Sequence, residues 1–143
     1  MSTLMAVAYV SSAYARLTTA ELEALLINAR THNAEKQVTG ALLYHDGSFF
    51  QYLEGPPVGV ENVYARIRDS GLHHGLIDLL RCEIPSRRFG AWHMGFAHVP
   101  RSFLLDLAQA AWLNVLPSFA NDTPEAEGVQ MLLQFWHIAK LSQ

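Results

Sequence analysis

The run Phe49-Phe50-Gln51-Tyr52-Leu53 sets the tightest limit on what this chain can fold into. It follows Asp46-Gly47, a dipeptide favoured in two-residue hairpin turns, and an earlier apolar run, Val38 to Tyr44, precedes that turn. Side chains alternate across a strand, so Phe49 and Leu53 fall on one face and Phe50 and Tyr52 on the other. Both faces are apolar, which excludes a sheet with one wet side and requires cover above and below. The rest of the chain has the apolar surface to supply it: 50% of the 143 residues are hydrophobic and only 16% charged, against roughly 25% charged in an average soluble domain.

The flanking segments read as the covering layers. Leu4 to Val10 is a buried first strand, with Ser11-Ser12 opening the exit loop; the segment Met1 to Ala15 lacks a basic start and a continuous apolar run, so it is not a signal peptide. Thr18 with Glu21 three residues on is a capping box, and Leu22, Leu25, Leu26 and Ala29 form one helical stripe ending near His32-Asn33. After Glu54-Gly55-Pro56-Pro57, the positions Val60, Val63, Tyr64 and Ile67 predict a second helix, stopped by Ser70-Gly71. Leu76 to Ile84 and His93 to Val99 read as fourth and fifth strands. The expected fold is therefore α+β, a ferredoxin-like β-α-β-β-α-β-β mixed sheet over residues 1–99. Residues 100–143 form a two-helix extension within the same compact unit. One helix carries Leu104, Leu107, Ala108, Ala111 and Trp112; the other starts at Asp122-Thr123-Pro124-Glu125 and carries Val129, Leu132, Leu133 and Trp136. These two helices are expected on the opposite sheet face.

Charge and composition exclude several functions. The net charge is -3 and the ten Lys and Arg are scattered, which gives no footprint for a phosphate backbone, so nucleic acid is not expected as a partner. No apolar run reaches membrane-spanning length, and a lone Cys82 suits a reducing cytoplasm. Cys82 lies mid-strand with no basic cluster beside it and reads as a small hydrophobe. The seven histidines include no pair spaced four apart on a helix with a third ligand, so no metal site is expected.

Gln51 is the polar group such a sheet must explain, because alternation puts it between Phe49 and Leu53. A buried primary amide without partners costs on the order of 1–3 kcal/mol, so its site must supply hydrogen bonds, from nearby backbone or from a tyrosine. Tyr9 shares a face with Ser11 on the first strand, which in this fold lies beside the hairpin strand; a Tyr9–Gln51 contact follows, the alternative being a core tyrosine with its hydroxyl at the rim. Asn33 reads on its own as a helix C-terminal cap, and His32 is undistinctive.

Taken in order, Tyr9-x-Ser11, Asn33, Val38-Thr39-Gly40-x-Leu42-Leu43-Tyr44, Gly47-x-Phe49-x-Gln51-x-Leu53-Glu54-Gly55, Tyr64-Ala65-Arg66-Ile67 and Trp92-x-Met94 resemble the BLUF family, blue-light sensors that bind flavin adenine dinucleotide. The resemblance covers about residues 4–99. It implies a flavin between the two crossover helices with its ring edge toward the sheet, His32 and Asn33 near its pyrimidine side, and Leu25 and Ile67 as apolar plates. It further implies Tyr9 as electron donor to the excited flavin and Gln51 as the amide between Tyr9 and flavin, rearranging to give a red-shifted spectrum without a covalent bond. Ser11 belongs to the same binding set, and Trp92 and Met94 would relay the change to the fifth strand and the last helices. Leu72 stands where relatives have a basic residue; Arg66, Arg68 and His73 remain to meet the phosphates, and FMN or riboflavin are admitted beside FAD. His93 stands where the family usually has serine.

No catalytic segment follows Pro100, so the expectation is a non-enzymatic, cytoplasmic stand-alone sensor that changes association with itself, as a homo-oligomer, or with a downstream protein. Trp112, Phe119, Phe135 and Trp136 are aromatic candidates for that contact. The alternative is a ferredoxin-like ligand-binding module or small oxygenase without photoactivity.

Overall fold

The computed structural model describes residues 3–71, 73–90, 92–112 and 127–141, with side chains of the last helix described through Ile138. Its elements are β1 (Leu4–Ala13), α1 (Thr19–Glu35), β2 (Thr39–His45), β3 (Ser48–Gly55), α2 (Pro57–Asp69), β4 (His73–Ile84), β5 (Gly95–His98), α3 (Arg101–Gln109) and α4 (Glu127–Leu141). The strands lie in the order β4-β1-β3-β2-β5. β1 runs antiparallel to both β3 and β4, β2 is antiparallel to β3, and β5 joins β2 in parallel, which is the expected ferredoxin-like mixed sheet.

Local chemistry accounts for the turns and caps. The two residues between β2 and β3, Asp46 and Gly47, have φ of 46° and 88°, the pair of positive values that a twist-matched hairpin turn demands. At the start of α1 the Thr18 side chain accepts from Glu21 N–H at 3.1 Å while the Glu21 carboxylate accepts from Thr18 N–H at 2.9 Å. Gly40 is required by close approach, since a Cβ there would lie 1.8 Å from the carbonyl oxygen of Tyr52 on β3.

Both sheet faces are covered, as the alternation of β3 requires. Val7, Tyr9, Leu42, Phe49 and Leu53 pack with Leu22 and Leu26 of α1 and Val60 and Val63 of α2. On the other face Ala6, Leu43, Phe50 and Tyr52 pack with Leu104 and Leu107 of α3 and Leu132 and Trp136 of α4. Leu72, the residues around Phe119 and Pro117, and the cap at Asp122-Thr123-Pro124-Glu125 lie outside the described residues.

Several boundaries differ from the sequence reading. α3 stops at Gln109, because Ala110 turns to extended backbone at φ −64° and ψ 153°, so Ala111 and Trp112 lie beyond the helix expected to carry them. β1 continues through Ser11 and Ser12 to Ala13, and β4 begins at His73 instead of Leu76, because the two extensions pair with each other at Ser12–His74 and Ala13–His73. Pairing satisfies the backbone there and overrides the polar composition. β5 is shorter, since residues 92–94 turn toward α1 before the strand starts. Asn33 does not cap α1: the helix runs on to Glu35, Lys36 holds the cap position, and Gln37 takes the left-handed conformation at φ 60°.

Candidate functional site

α1 and α2 leave a cavity of about 430 Å3 between them over the β2–β3 face. Leu25 from α1 and Ile67 from α2 both line it, with Leu42, Phe49 and Gln51 contributed by the sheet and His32, Asn33, Arg66 and His73 along its polar wall. The helical stripes create this slot: Leu22 and Leu26 are buried against the sheet, while Leu25, one position off the stripe's centre, turns toward the cavity.

Gln51 links the cavity to the interior. It stands opposite Tyr9 in the β1–β3 register, and the Tyr9 hydroxyl donates to Gln51 Oε1. The other end of the amide donates from Nε2 to Met94 Sδ at 3.5 Å, so both its polar atoms are engaged. Tyr9 is fully buried, and burial, with the nearby Tyr64 and Asp78 adding to it, raises its pKa well above the ordinary phenol value; the group is a protonated phenol throughout the physiological range. Tyr64 packs edge-on to Tyr9 with ring centroids 5.7 Å apart and donates to Asp78 at 2.5 Å; burial and that hydrogen bond hold its pKa at about 12.

The segment before β5 is tied to the same wall. Asn33 Nδ2 donates to the carbonyl of His93 at 2.9 Å, Arg30 Nε to that of Met94 at 2.9 Å, and Gly40 N–H to that of Trp92 at 2.7 Å. The His93 imidazole approaches the Val38 carbonyl at 3.3 Å, which is where the unusual residue between Trp92 and Met94 goes. Met94 is buried on the cavity side of the sheet. Trp92 is packed on the opposite face against Trp136, centroids 5.2 Å apart. Ser11 and His73 share a hydrogen bond at 2.9 Å, linking β1 to the end of β4 beside the cavity.

The polar wall holds one unmatched group. His32 lines the slot, its Nε2 is buried without a hydrogen-bond partner among the described residues, and its ring is also within hydrogen-bonding reach of the Asn62 side chain. Burial, then the charges of Arg66 and Lys36, lower the His32 pKa below the ordinary imidazole value, so the ring is neutral at pH 7. A slot of this size, apolar across its width and edged by amide and imidazole groups, fits a flat heteroaromatic such as a flavin ring. Arg66 lines the slot and donates to Asn28 Oδ1 at 2.8 Å, whereas Arg68 is absent from the lining and sits over the Tyr64 ring, 5.6 Å from its centroid. Asn28, Phe49 and Val63 line the slot although the sequence reading did not assign them to the flavin site. Phe49 shares the Gln51 face by alternation, and Asn28 lies one turn after Leu25, so both signals were present. Among the described residues no three His, Cys, Asp or Glu side chains form a cluster able to hold a metal ion.

Fold and slot together define a ferredoxin-like small-molecule-binding domain with a buried Tyr–Gln pair at the base of its ligand cavity. Comparison with known proteins makes the class specific: the model of the BLUF family, sensors of blue light using FAD, matches residues 4–95, and the chain belongs to this family. It is 37% identical over 70 residues to the blue light- and temperature-regulated antirepressor BluF of Escherichia coli K12, covering 49% of this chain and 17% of that protein. It is 34% identical over 90 residues to the photoactivated adenylate cyclase subunit beta of Euglena longa, covering 63% of this chain and 10% of that protein. The chain thus spans only a small part of the length of these curated relatives. Among solved structures, the dark state of BlrB, a BLUF protein, superposes with a TM-score of 0.71 at 25% identity, covering 97% of this chain and 98% of that one. Among the described residues no helix is long and apolar enough to cross a membrane.

Proposed function

We propose that this chain is a non-enzymatic blue-light photoreceptor whose switch is the Tyr9–Gln51–Met94 series, with flavin held in the slot between α1 and α2. The observation that carries the reading is the Tyr9 hydroxyl donating to Gln51 at the wall of a flavin-sized cavity. When bound, a flavin supplies a chromophore whose excited state is a strong one-electron oxidant. Tyr9 is the group suited to answer it. Its phenol keeps its proton in the dark and becomes a strong acid on losing an electron, and among the described residues the acceptor it addresses is Gln51 Oε1.

Gln51 carries a donor and an acceptor on one amide, so a half-turn exchanges their positions. The exchange has a definite consequence at Met94. A thioether accepts hydrogen bonds weakly and donates none, so the amide oxygen finds no partner where Nε2 had one. The contact that ties Met94 to Gln51 is lost, and the strain passes to residues 92–94, then to β5 and the helices that follow it. Trp92, on the other face and against Trp136, carries the displacement to α4. The outcome is altered association with a downstream protein or with a second copy of the chain, in the cytoplasm.

His32 and Asn33, with Leu25 and Ile67 as plates, hold the ring; Ser11 is not among the residues lining the slot and acts through its hydrogen bond to His73, which is. Arg66 supplies the charge and His73, neutral at pH 7, hydrogen bonding for a phosphate tail, which favours FAD or FMN over riboflavin; all three share the ring and enter the same slot. Arg68, committed to the Tyr64 ring, contributes less than Arg66. The test is absorption of the purified, flavin-loaded protein in the dark and under blue light. Wild type should shift reversibly to the red, and neither Tyr9→Phe nor Gln51→Leu should do so, although each keeps its side-chain volume close to the original. A wild-type spectrum that never shifts removes the photoreceptor reading, and a Tyr9→Phe variant with a normal cycle removes Tyr9 from its role.

A further inference from the structure

Glu54 is fully buried, and it is the only buried carboxylate among the described residues. It lies on β3 three residues beyond Gln51 but on the opposite face, away from the flavin slot. Everything around it is a donor. Arg88 N–H reaches both oxygens at 2.8 and 3.0 Å, Phe89 N–H reaches Oε2 at 2.6 Å, the Thr39 hydroxyl Oε2 at 3.1 Å and the Tyr52 hydroxyl Oε1 at 3.3 Å. Arg87 straps the outside, donating to Thr39 Oγ1 at 2.8 Å, the Glu54 carbonyl at 3.4 Å and the Gln37 carbonyl at 2.6 Å.

The segment held in this way is the one that connects the two faces. Phe89, gripped through its N–H, packs on Tyr52 at 5.1 Å and on Trp136 of α4 at 6.1 Å, and its carbonyl accepts from Trp92 N–H at 2.8 Å. Two residues further on, Met94 touches Gln51. The carboxylate therefore anchors one end of a short stretch whose other end meets the switch. A residue in a strand core would serve packing with an apolar side chain; a carboxylate aimed at two successive backbone amides serves to fix the position of that backbone.

We infer that Glu54 is a positioning residue for signal output, pinning Arg88 and Phe89 to the end of β3 so that the Trp92–Met94 stretch pivots against a fixed point and moves α4 through Trp136. Without the anchor, a displacement at Met94 dissipates in a loose segment. The inference rests on the proposed Gln51–Met94 switch, but the anchor itself is testable in the dark.

The test is Glu54→Gln in the flavin-loaded full chain, read by residue-resolved hydrogen exchange in the dark and under blue light. The amide nitrogen of glutamine would face donors at either oxygen position, so the expected dark result is faster exchange at Arg88 and Phe89, by about tenfold, with the Tyr9 and Gln51 amides still protected in the β1–β3 ladder. Under light, the red shift persists because Tyr9 and Gln51 are untouched, while the light-minus-dark difference across 127–141 falls well below that of wild type. Arg87→Ala, which removes only the outer strap, should give a smaller effect of the same sign and serves if Glu54→Gln does not fold. Unchanged exchange at Arg88 and Phe89, or an undiminished α4 difference despite a loosened loop, overturns the inference. A wild type that shifts to the red with no α4 difference overturns it as well. A wild type with no red shift defeats the photoreceptor reading instead, and the dark exchange result still decides whether the anchor exists.

Discussion

Gly95, the first residue of β5, is the seat of α4, and adding one methyl group there should unseat it. A Cβ at Gly95 would lie 2.0 Å from Cζ2 and 2.9 Å from Cη2 of Trp136, and 2.5 Å from Cε3 of Trp92. Ordinary contact begins near 3.4 Å, so the Trp136 ring must retreat by 3.4 − 2.0 = 1.4 Å. Trp136 is 6% exposed, with Phe89, Trp92 and Phe135 around it, and the opening beside it, a pocket of about 270 Å3 that it lines with Arg88, Leu133 and His137, receives the ring only if it leaves its seat on β5. Overpacking a closed core costs about 1–3 kcal/mol, and complete loss of a buried tryptophan about 3–5 kcal/mol. Gly95→Ala should fall between these limits, at about 2–4 kcal/mol, lowering the melting temperature by roughly 10 °C. The backbone at Gly95 is not left-handed, so conformational strain adds nothing to this figure. Urea unfolding gives the free energy, and the near-ultraviolet circular dichroism of the Trp92–Trp136 pair reports the docking directly. In a Trp136→Ala background the same substitution should cost about 1 kcal/mol or less, since Trp92 at the half-buried rim can move aside. A Gly95→Ala protein within about 0.5 kcal/mol of wild type, with its aromatic signal intact, would refute the packing argument.

Two further outcomes follow from the site. Arg66→Ala should weaken FAD by about fivefold while changing riboflavin affinity by less than twofold, and Arg68→Ala should leave both nearly unchanged, as measured by fluorescence titration; equal losses for FAD and riboflavin would place Arg66 on the ring instead of the phosphates. Burial lowers the pKa of His73 below the ordinary imidazole value near 6.5. The folded protein therefore binds this proton less readily than the unfolded chain, and stability declines as pH falls through about 6.5 toward the lower folded-state value. Imidazole titration by nuclear magnetic resonance should place His73 below 6.5, and a value at or above it would contradict the desolvation of the ring.

How far each feature could be read from sequence depended on how far apart its parts lie in the chain. The α1 cap joins Thr18 to Glu21 and the hairpin turns at Asp46-Gly47, both complete within a few residues, and both formed as expected. Two apolar sets on β3 required two covering layers, and those layers are present. The Tyr9–Gln51 contact was accessible because fold topology puts β1 beside β3 and alternation gives both residues one face. By contrast, Asn33 resembled a helix cap because a lone asparagine near a helix end has no other local reading. Its hydrogen bond goes to His93, 60 residues away. The extensions of β1 and β4 were missed for the same reason: polar Ser11, Ser12 and His74 become strand residues only when they find each other.

By itself, then, the amino-acid order determined a mixed sheet covered on both faces, its hairpin and its first helix cap, because those rest on periodicity and on contacts between near neighbours. Tertiary structure alone decided that Met94 faces Gln51 while Trp92 faces Trp136, that His32 holds a buried, unmatched nitrogen beside the slot, and that Glu54 is buried against the backbone N–H groups of Arg88 and Phe89. Each of these depends on the register of segments tens of residues apart. That register is set by the joint packing of several elements, and no local stretch of the chain encodes it.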